Sequence, residues 1–189
     1  EEKEEVSKKI AQDSLILLKN DGVLPIKKGT KIAVIGPHAD SLRYPVSGYT
    51  YPAYIEMMDA GRKNSAAVTF NGIADEQAKA EKEKAPKGPF DTLFDMLDEE
   101  DVKQLDDMNG VLRTLHTRSL KEVLSDRFET VYAQGCDIIG TSEDGFSDVV
   151  KAANESDVVV MALGGNCGWV NVTGGEGKDR QSLELPGVQ

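Results

Sequence analysis

Apolar residues run together at three places in this chain, and everything else is arranged around them. Lys31-Ile-Ala-Val-Ile35, Thr130-Val-Tyr-Ala133 and Asp157-Val-Val-Val-Met-Ala-Leu163 are short, β-branched and followed by glycine. Runs of this length and composition predict strands buried on both faces, as in a parallel sheet. Between them the period lengthens to that of helices. Ser119 to Arg127 predicts a helix, and Gly145 to Glu155 predicts another that buries Phe146, Val149, Val150 and Ala153. Strand, helix, strand in this order predicts a βαβ unit with helices on both faces of the sheet. Residues 1–20 predict a further helix, with Val6, Ile10, Leu17 and Leu18 near one face and Asn20-Asp21-Gly22 as its stop. Val23 to Ile26 reads as an extended connector, because Pro25 disfavours the helical region for its predecessor. Ser41 to Glu56, rich in Tyr, Pro and Gly, reads as an ordered loop rather than helix or strand.

The span 60–113 breaks the pattern. Gln77 to Lys87 is mostly Lys, Glu and Ala, and acidic clusters follow at 98–101 and 106–107. Phe90, Leu93, Phe94, Met96 and Leu97 predict one short helix docked on the body, within an inserted and partly mobile excursion. A partner-binding arm is the functional alternative. Three strands are few for a sheet, so the expectation is an incomplete three-layer α/β/α sandwich, its first half, with mainly parallel strands. Residues 1–22 are then a helix and linker, and residues 23–189 the partial sandwich. An incomplete sheet leaves an unpaired edge, and self-association through that edge is expected.

Charge narrows the partners. The net charge of −11 leaves no basic stripe for a phosphate backbone, so nucleic acid is not expected as a partner. The apolar runs fall far short of the roughly 20 residues that cross a bilayer, so no membrane partner is expected either. Cys136 and Cys167 form no CxxC pair, and both read as small, half-buried side chains near strand ends, with a bridge left open by their spacing. Neither His38 nor His116 has ligand spacing to a cysteine, so neither a metal nor any other cofactor is expected. His38 and Asp40 are expected to cap the turn after the first strand. The tripeptides Asn154-Glu-Ser156 and Asn171-Val-Thr173 read as chance sequons, and a cytoplasmic location is favoured over a secreted one.

The chemistry is expected after the third strand. Gly164-Gly165 opens a glycine-rich segment that places a carboxylate, Glu176, between Gly175 and Gly177. In an open parallel sheet, ligands bind at the carboxyl ends of the strands, and flanking glycines free the backbone to aim such a carboxylate. The same glycines fit neither GxGxxG nor GxxxxGK[ST], which disfavours a nucleotide-binding domain.

Five segments carry a resemblance: Asp13 to Ile26, Ile32-Ala-Val-Ile-Gly-Pro-His-Ala-Asp40, Gly48-Tyr-Thr-Tyr-Pro-Ala53, Ala133-Gln-Gly-Cys-Asp137, and Gly175-Glu-Gly-Lys-Asp-Arg180 through Leu185-Pro-Gly-Val-Gln189. In this order they resemble the C-terminal α/β/α sandwich domain of glycoside hydrolase family 3, which includes β-glucosidases and β-xylosidases. The resemblance implies an N-terminal (β/α)8-type barrel, outside this chain, that bears an aspartate nucleophile. It implies that Glu176 is the general acid/base of a retaining, exo-acting β-glycosidase, and that the chain is an excised piece, inactive by itself. The partners it implies are a glycoside or oligosaccharide substrate and the barrel of the same parent chain. Lys178 and Arg180 are candidates for sugar hydroxyls, Asp179 and Arg180 for anchoring the loop, and Trp169 for stacking on a sugar ring. A non-catalytic carbohydrate-binding or interaction module is the alternative reading.

Overall fold

The computed structural model describes residues 2–46, 48–63, 103, 106–170, 172–175 and 179–189. Its centre is a three-stranded parallel sheet of β1 (Lys31–Ile35), β2 (Glu129–Ala133) and β3 (Val158–Met161), in the order β2-β1-β3. The two pairings run Lys31↔Glu129 to Ile35↔Ala133 and Ile32↔Val158 to Ile35↔Met161. Asp157 fixes the second register from outside the strand. Its carboxylate accepts from the Lys31 N–H at 2.9 Å, and its own N–H donates back to the Lys31 carbonyl at 2.9 Å.

The central strand explains the two layers around it. Successive side chains of a strand face opposite sides, and in β1 both sides are apolar. Ile32 and Val34 pack with Leu124 and Phe128, at and just beyond the end of helix α4 (Leu120–Ser125), and with Val158 and Val160 of β3. Ala33 and Ile35 pack with Ala133 of β2 and with Val149 and Ala152 of helix α5 (Phe146–Asn154). Fully burying an Ile or Val stabilises by about 1.5–3 kcal/mol, and Ile32 and Val34 are both 0% exposed. The fold is therefore a parallel α/β sheet with helices on both faces, as the apolar runs imply. The outer strands are less covered, with Val159 and Met161 of β3 exposed. On α5 the buried face centres on Ala152 and the half-buried Val149. Phe146 and Val150, both expected inside, are exposed: Phe146 opens the helix at its N-terminal end, and one step along the helix turns Val150 about 100° from Val149.

Two expected elements change. Helix α1 (Glu2–Asp13) stops well before Asn20, and none of its residues is buried. Val6 and Ile10 lie exposed on it, and Leu15 to Leu18 follow outside it, also exposed, so no packed face extends the helix. In the segment 41–56, expected to be loop throughout, helix α2 (Tyr51–Lys63) begins at Tyr51. Pro52 sits in its first turn, where a missing N–H costs nothing. Helix α3 (Met108–Thr114) packs on α2, with Met108 against Ile55, Met57 and Met58, and Leu112 is fully buried. The helix expected around Phe90, Leu93, Phe94, Met96 and Leu97 lies outside the described residues.

Helix α4 begins with a capping box. The Ser119 hydroxyl accepts from the Glu122 N–H, and the Glu122 carboxylate accepts from the Ser119 N–H at 2.9 Å. Arg113 donates to the same carboxylate at 2.7 Å, and these bonds hold the Glu122 pKa down, to about 2. A carboxylate whose folded pKa lies below its unfolded value stabilises above the unfolded value, and the contribution is lost as pH falls through the folded one. Glu122→Gln keeps an acceptor for Ser119 but loses the charge. The variant is expected to melt below the parent at neutral pH, with the gap closing between about pH 4.5 and pH 2. A gap that stays constant over that window in thermal melts contradicts the assignment.

Candidate active site

The ends of the three strands are tied together at their carboxyl side. The Gly36 N–H donates to the Ala133 carbonyl at 3.2 Å, the Ala162 N–H to Ile35 at 2.8 Å, and the His38 N–H to Ala162 at 3.1 Å. Gly36 has a φ of 104°, and a Cβ there would lie 2.5 Å from the Ala162 carbonyl oxygen. Only glycine fits this crossing. The turn is closed by backbone, the Ala39 N–H donating to Gly36 at 3.1 Å. His38 therefore does not cap it. Its ring packs on Tyr44 with centroids 5.1 Å apart, and its buried Nε2 meets no hydrogen-bond partner among the described residues. Asp40 reaches further than the turn, accepting from the Ser119 hydroxyl at 2.6 Å and pairing with Lys121.

From β3 the chain leaves through Gly164-Gly165 into a closed frame. The Asn166 N–H donates to Thr173 Oγ1 at 2.9 Å, the Thr173 N–H to the Asn166 carbonyl at 3.0 Å, and the Asn166 amide Nδ2 to the Val170 carbonyl at 3.1 Å. Asn166 and Val172 are buried. A Cβ on Gly165 would fall 2.2 Å from Thr173 Oγ1, so the frame closes only around a residue without one. Gly165→Ala is expected to open it. The Asn166 and Thr173 amides should then exchange with solvent roughly fivefold faster or more for each bond lost, by hydrogen-exchange mass spectrometry or NMR. Unchanged exchange contradicts the frame.

The frame rests on an ion pair, buried at Arg43 and partly exposed at Glu56, that sequence reading did not single out. Arg43, 8% exposed, donates through its Nε–H to Glu56 Oε2 at 3.0 Å and through Nη1 to the Val46 carbonyl at 2.8 Å. Its Nη2 lies 2.9 Å from the same carboxylate oxygen but is not aligned to hydrogen-bond to it, so this second contact is electrostatic. Burial raises the Glu56 pKa, and the charge and hydrogen bond of Arg43 only partly offset that. A Cβ on Gly168 would lie 2.8 Å from Arg43 Nη2, which places the guanidinium directly under the loop. Trp169, expected on an exposed loop, is half-buried. It packs against the cluster of Ile55, Met57 and Met58, and Tyr49 meets it edge-on at 5.4 Å.

Cys167, expected half-buried, is exposed, and both it and Cys136 are free thiols. A Cβ on Gly175 would lie 3.3 Å from Cys167 Sγ, so the residue immediately before Glu176 is seated against the frame. Glu176 and Lys178 themselves lie outside the described residues. Beyond them, Asp179 and Arg180 are exposed, and Arg180 donates through Nη2 to the Glu184 carbonyl. Thr173, Asp179 and Arg180 line two hollows. One, of about 470 Å³, is lined by Gly165, Cys167, Gly175 and Asp179 among others, and the other, of about 280 Å³, by Gln181, Glu184 and Pro186 among others. A hollow of about 500 Å³ runs along β2 and α5, but none of its lining comes from residues 164–189. Among the described residues no three His, Cys, Asp or Glu side chains come together as metal ligands, and no helix is long and apolar enough to cross a membrane.

Residues 15–189 match the model of the glycosyl hydrolase family 3 C-terminal domain. A β-xylosidase of Formosa agariphila is 41% identical over 70 residues, covering 37% of this chain and 9% of the relative. Probable exo-1,4-beta-xylosidases of Aspergillus flavus and Aspergillus oryzae are each 24% identical over 186 residues, which is 98% of this chain. The chain spans only 16% and 15% of the lengths of these two relatives.

Proposed function

The chain belongs to glycosyl hydrolase family 3, through that family's C-terminal domain, and on this footing we propose that it supplies Glu176 as the general acid/base of a retaining, exo-acting β-glycosidase. The reaction needs a second carboxylate about 5–5.5 Å from the first, across the glycosidic bond. That nucleophile is proposed to come from a barrel domain of the same parent protein, so the chain alone hydrolyses nothing. Glu176 protonates the departing oxygen while the nucleophile attacks the anomeric carbon. It then takes a proton from the water that releases the sugar. Enclosure between the domains and the neighbouring anionic nucleophile raise its pKa enough to keep it protonated for the first step.

The observation that carries this reading is the hydrogen-bonded frame 166–173 at the carboxyl end of the parallel sheet, which seats Gly175 at the rim of a hollow. In this fold class that is where ligands are bound. Trp169 is proposed to offer an aromatic face to the sugar, and Lys178 and Arg180 to reach its hydroxyls. Asp179 and Arg180 are proposed to hold the loop.

β-Xylosides are the proposed substrates, ahead of β-glucosides, because the relatives bear xylosidase names. A pocket shaped for a pentose discriminates against the additional hydroxymethyl group of glucose. The full-length protein is expected to cleave 4-nitrophenyl β-xyloside about tenfold or more faster, in kcat/KM, than the glucoside. Proton NMR of the first-formed sugar should show the β-anomer. A first product of α configuration contradicts retention, a glucoside preference contradicts the substrate class, and no hydrolysis at all favours a binding module.

A further inference from the structure

Gly164 is the first glycine past β3, and its φ of 146° turns the chain off the sheet. The ladder bonds of this strand end at Ala162. Both backbone polar groups of Gly164 are instead satisfied by one side chain 25 residues away. The Gly164 N–H donates to Gln189 Oε1 at 2.8 Å, and Gln189 Nε2 donates to the Gly164 carbonyl at 2.9 Å. The second Nε2 proton goes to the carbonyl of Ile138, a buried residue on the loop after β2, at 3.1 Å. The carboxamide has two donor protons and an acceptor oxygen, and both protons and that oxygen are engaged. The turn bearing it is seated closely, for a Cβ on Gly187 (φ 64°) would lie 2.9 Å from the Gly140 carbonyl oxygen.

These bonds join the first and last residues of the segment 164–189, and tie both to the β2 loop. In the sequence, Glu176 lies near the middle of that segment. We infer that Gln189 is a positioning residue for the proposed reaction, an inference that rests on Glu176 being the acid/base. It clamps the two ends of the segment that carries the carboxylate, and so sets where the proton donor stands. Gln is suited to this task because it alone pairs one acceptor with two donors at this length. A carboxylate in its place has nothing to give the two carbonyls.

The test uses Gln189→Met and Gln189→Glu in the full-length protein, with two readouts. The first is amide exchange at Gly164, measured without substrate. The second is kcat on alkyl β-xylosides, whose departure needs a proton, compared with the glycosylation rate on nitrophenyl β-xylosides, whose departure does not. Gln189→Met is expected to speed Gly164 exchange roughly fivefold or more. It should lower kcat on alkyl xylosides by about 10²-fold while sparing nitrophenyl glycosylation and KM. Gln189→Glu should show the same defect at neutral pH, and recover in part as pH falls toward about 4.3 and its carboxyl regains one donor proton, enough for one of the two carbonyls. Unchanged exchange, or faster exchange with parental turnover of alkyl xylosides, overturns the inference. So does an equal loss on both substrates, or a Gln189→Glu deficit that does not vary with pH. Because exchange is read without substrate, a clamp that holds is separable from a wrong acid/base. Full alkyl xyloside turnover in Glu176→Gln removes that assignment, and the positioning role with it, whatever Gly164 shows.

Discussion

Replacing Glu176 by glutamine in the full-length protein is expected to cost about 10²–10⁴ in rate on substrates with poor leaving groups, the usual contribution of general acid catalysis. The two side chains have the same shape, so the loop should keep its path. Alkyl xylosides, whose alcohols leave poorly as unprotonated alkoxides, should show the whole loss. Aryl xylosides with acidic phenols should form the glycosyl-enzyme at a rate near the parent's. Their turnover should then stall at deglycosylation, because the same residue is proposed to activate water, and a burst of phenol should precede a slow steady state. Glu184→Gln, eight residues further along, should do none of this. Stopped-flow kinetics on a leaving-group series separates these outcomes, and full alkyl xyloside activity in Glu176→Gln with its loss in Glu184→Gln would falsify the assignment.

Glu56→Leu is expected to be the most destabilising single change named here. It leaves the Arg43 guanidinium buried without its counter-charge, and Arg cannot shed its proton. Breaking a fully buried pair in this way costs about 3–5 kcal/mol. With Glu56 itself partly exposed the lower end, about 3 kcal/mol, is expected, which in a domain of this size lowers the thermal midpoint by roughly 6–12 °C. Arg43→Leu should cost less. The Glu56 pKa is already raised by burial, so the abandoned carboxyl is able to take up a proton and become neutral. That variant should also be more stable in mild acid than at neutral pH, since an acid whose folded pKa lies above its unfolded value favours the folded state as pH falls. The double variant should cost less than the sum of the two. Equal costs for the two single variants, with no pH dependence, contradict the asymmetry.

How much of this is visible in the chain itself depends on the range of the interactions. The three strands are legible because each is centred on a continuous apolar run. Burial on both faces, which such runs predict, holds only for the central β1, since β2 and β3 lie at the sheet's edges with exposed positions. Helix α4 is legible at its start, where Ser119 and Glu122 have capping-box spacing. Helix α2 is not, because Tyr51, Pro52 and Tyr54 look like loop residues until Ile55 and Met58 are seen packing with Trp169. Helix α1 errs the other way, since a helical apolar period sets no length when no face is buried. For the candidate site, the glycines around Glu176 and the strand before it mark the place proposed. Arg43, Glu56 and Gln189 left no such mark. Their weight comes from partners 13, 51 and 25 residues away along the chain, which a local pattern does not encode.

The most direct measurement is product analysis of the Glu176→Gln enzyme turning over an aryl β-xyloside in sodium azide. Azide attacks the glycosyl-enzyme without needing a general base, so it should relieve the stalled step and leave β-xylosyl azide as the product, identified by NMR. The unsubstituted protein, in which Glu176 is proposed to activate water, should give xylose under the same conditions. If Glu176→Gln hydrolyses the substrate to xylose at the parent rate and forms no azide adduct, Glu176 is not the acid/base.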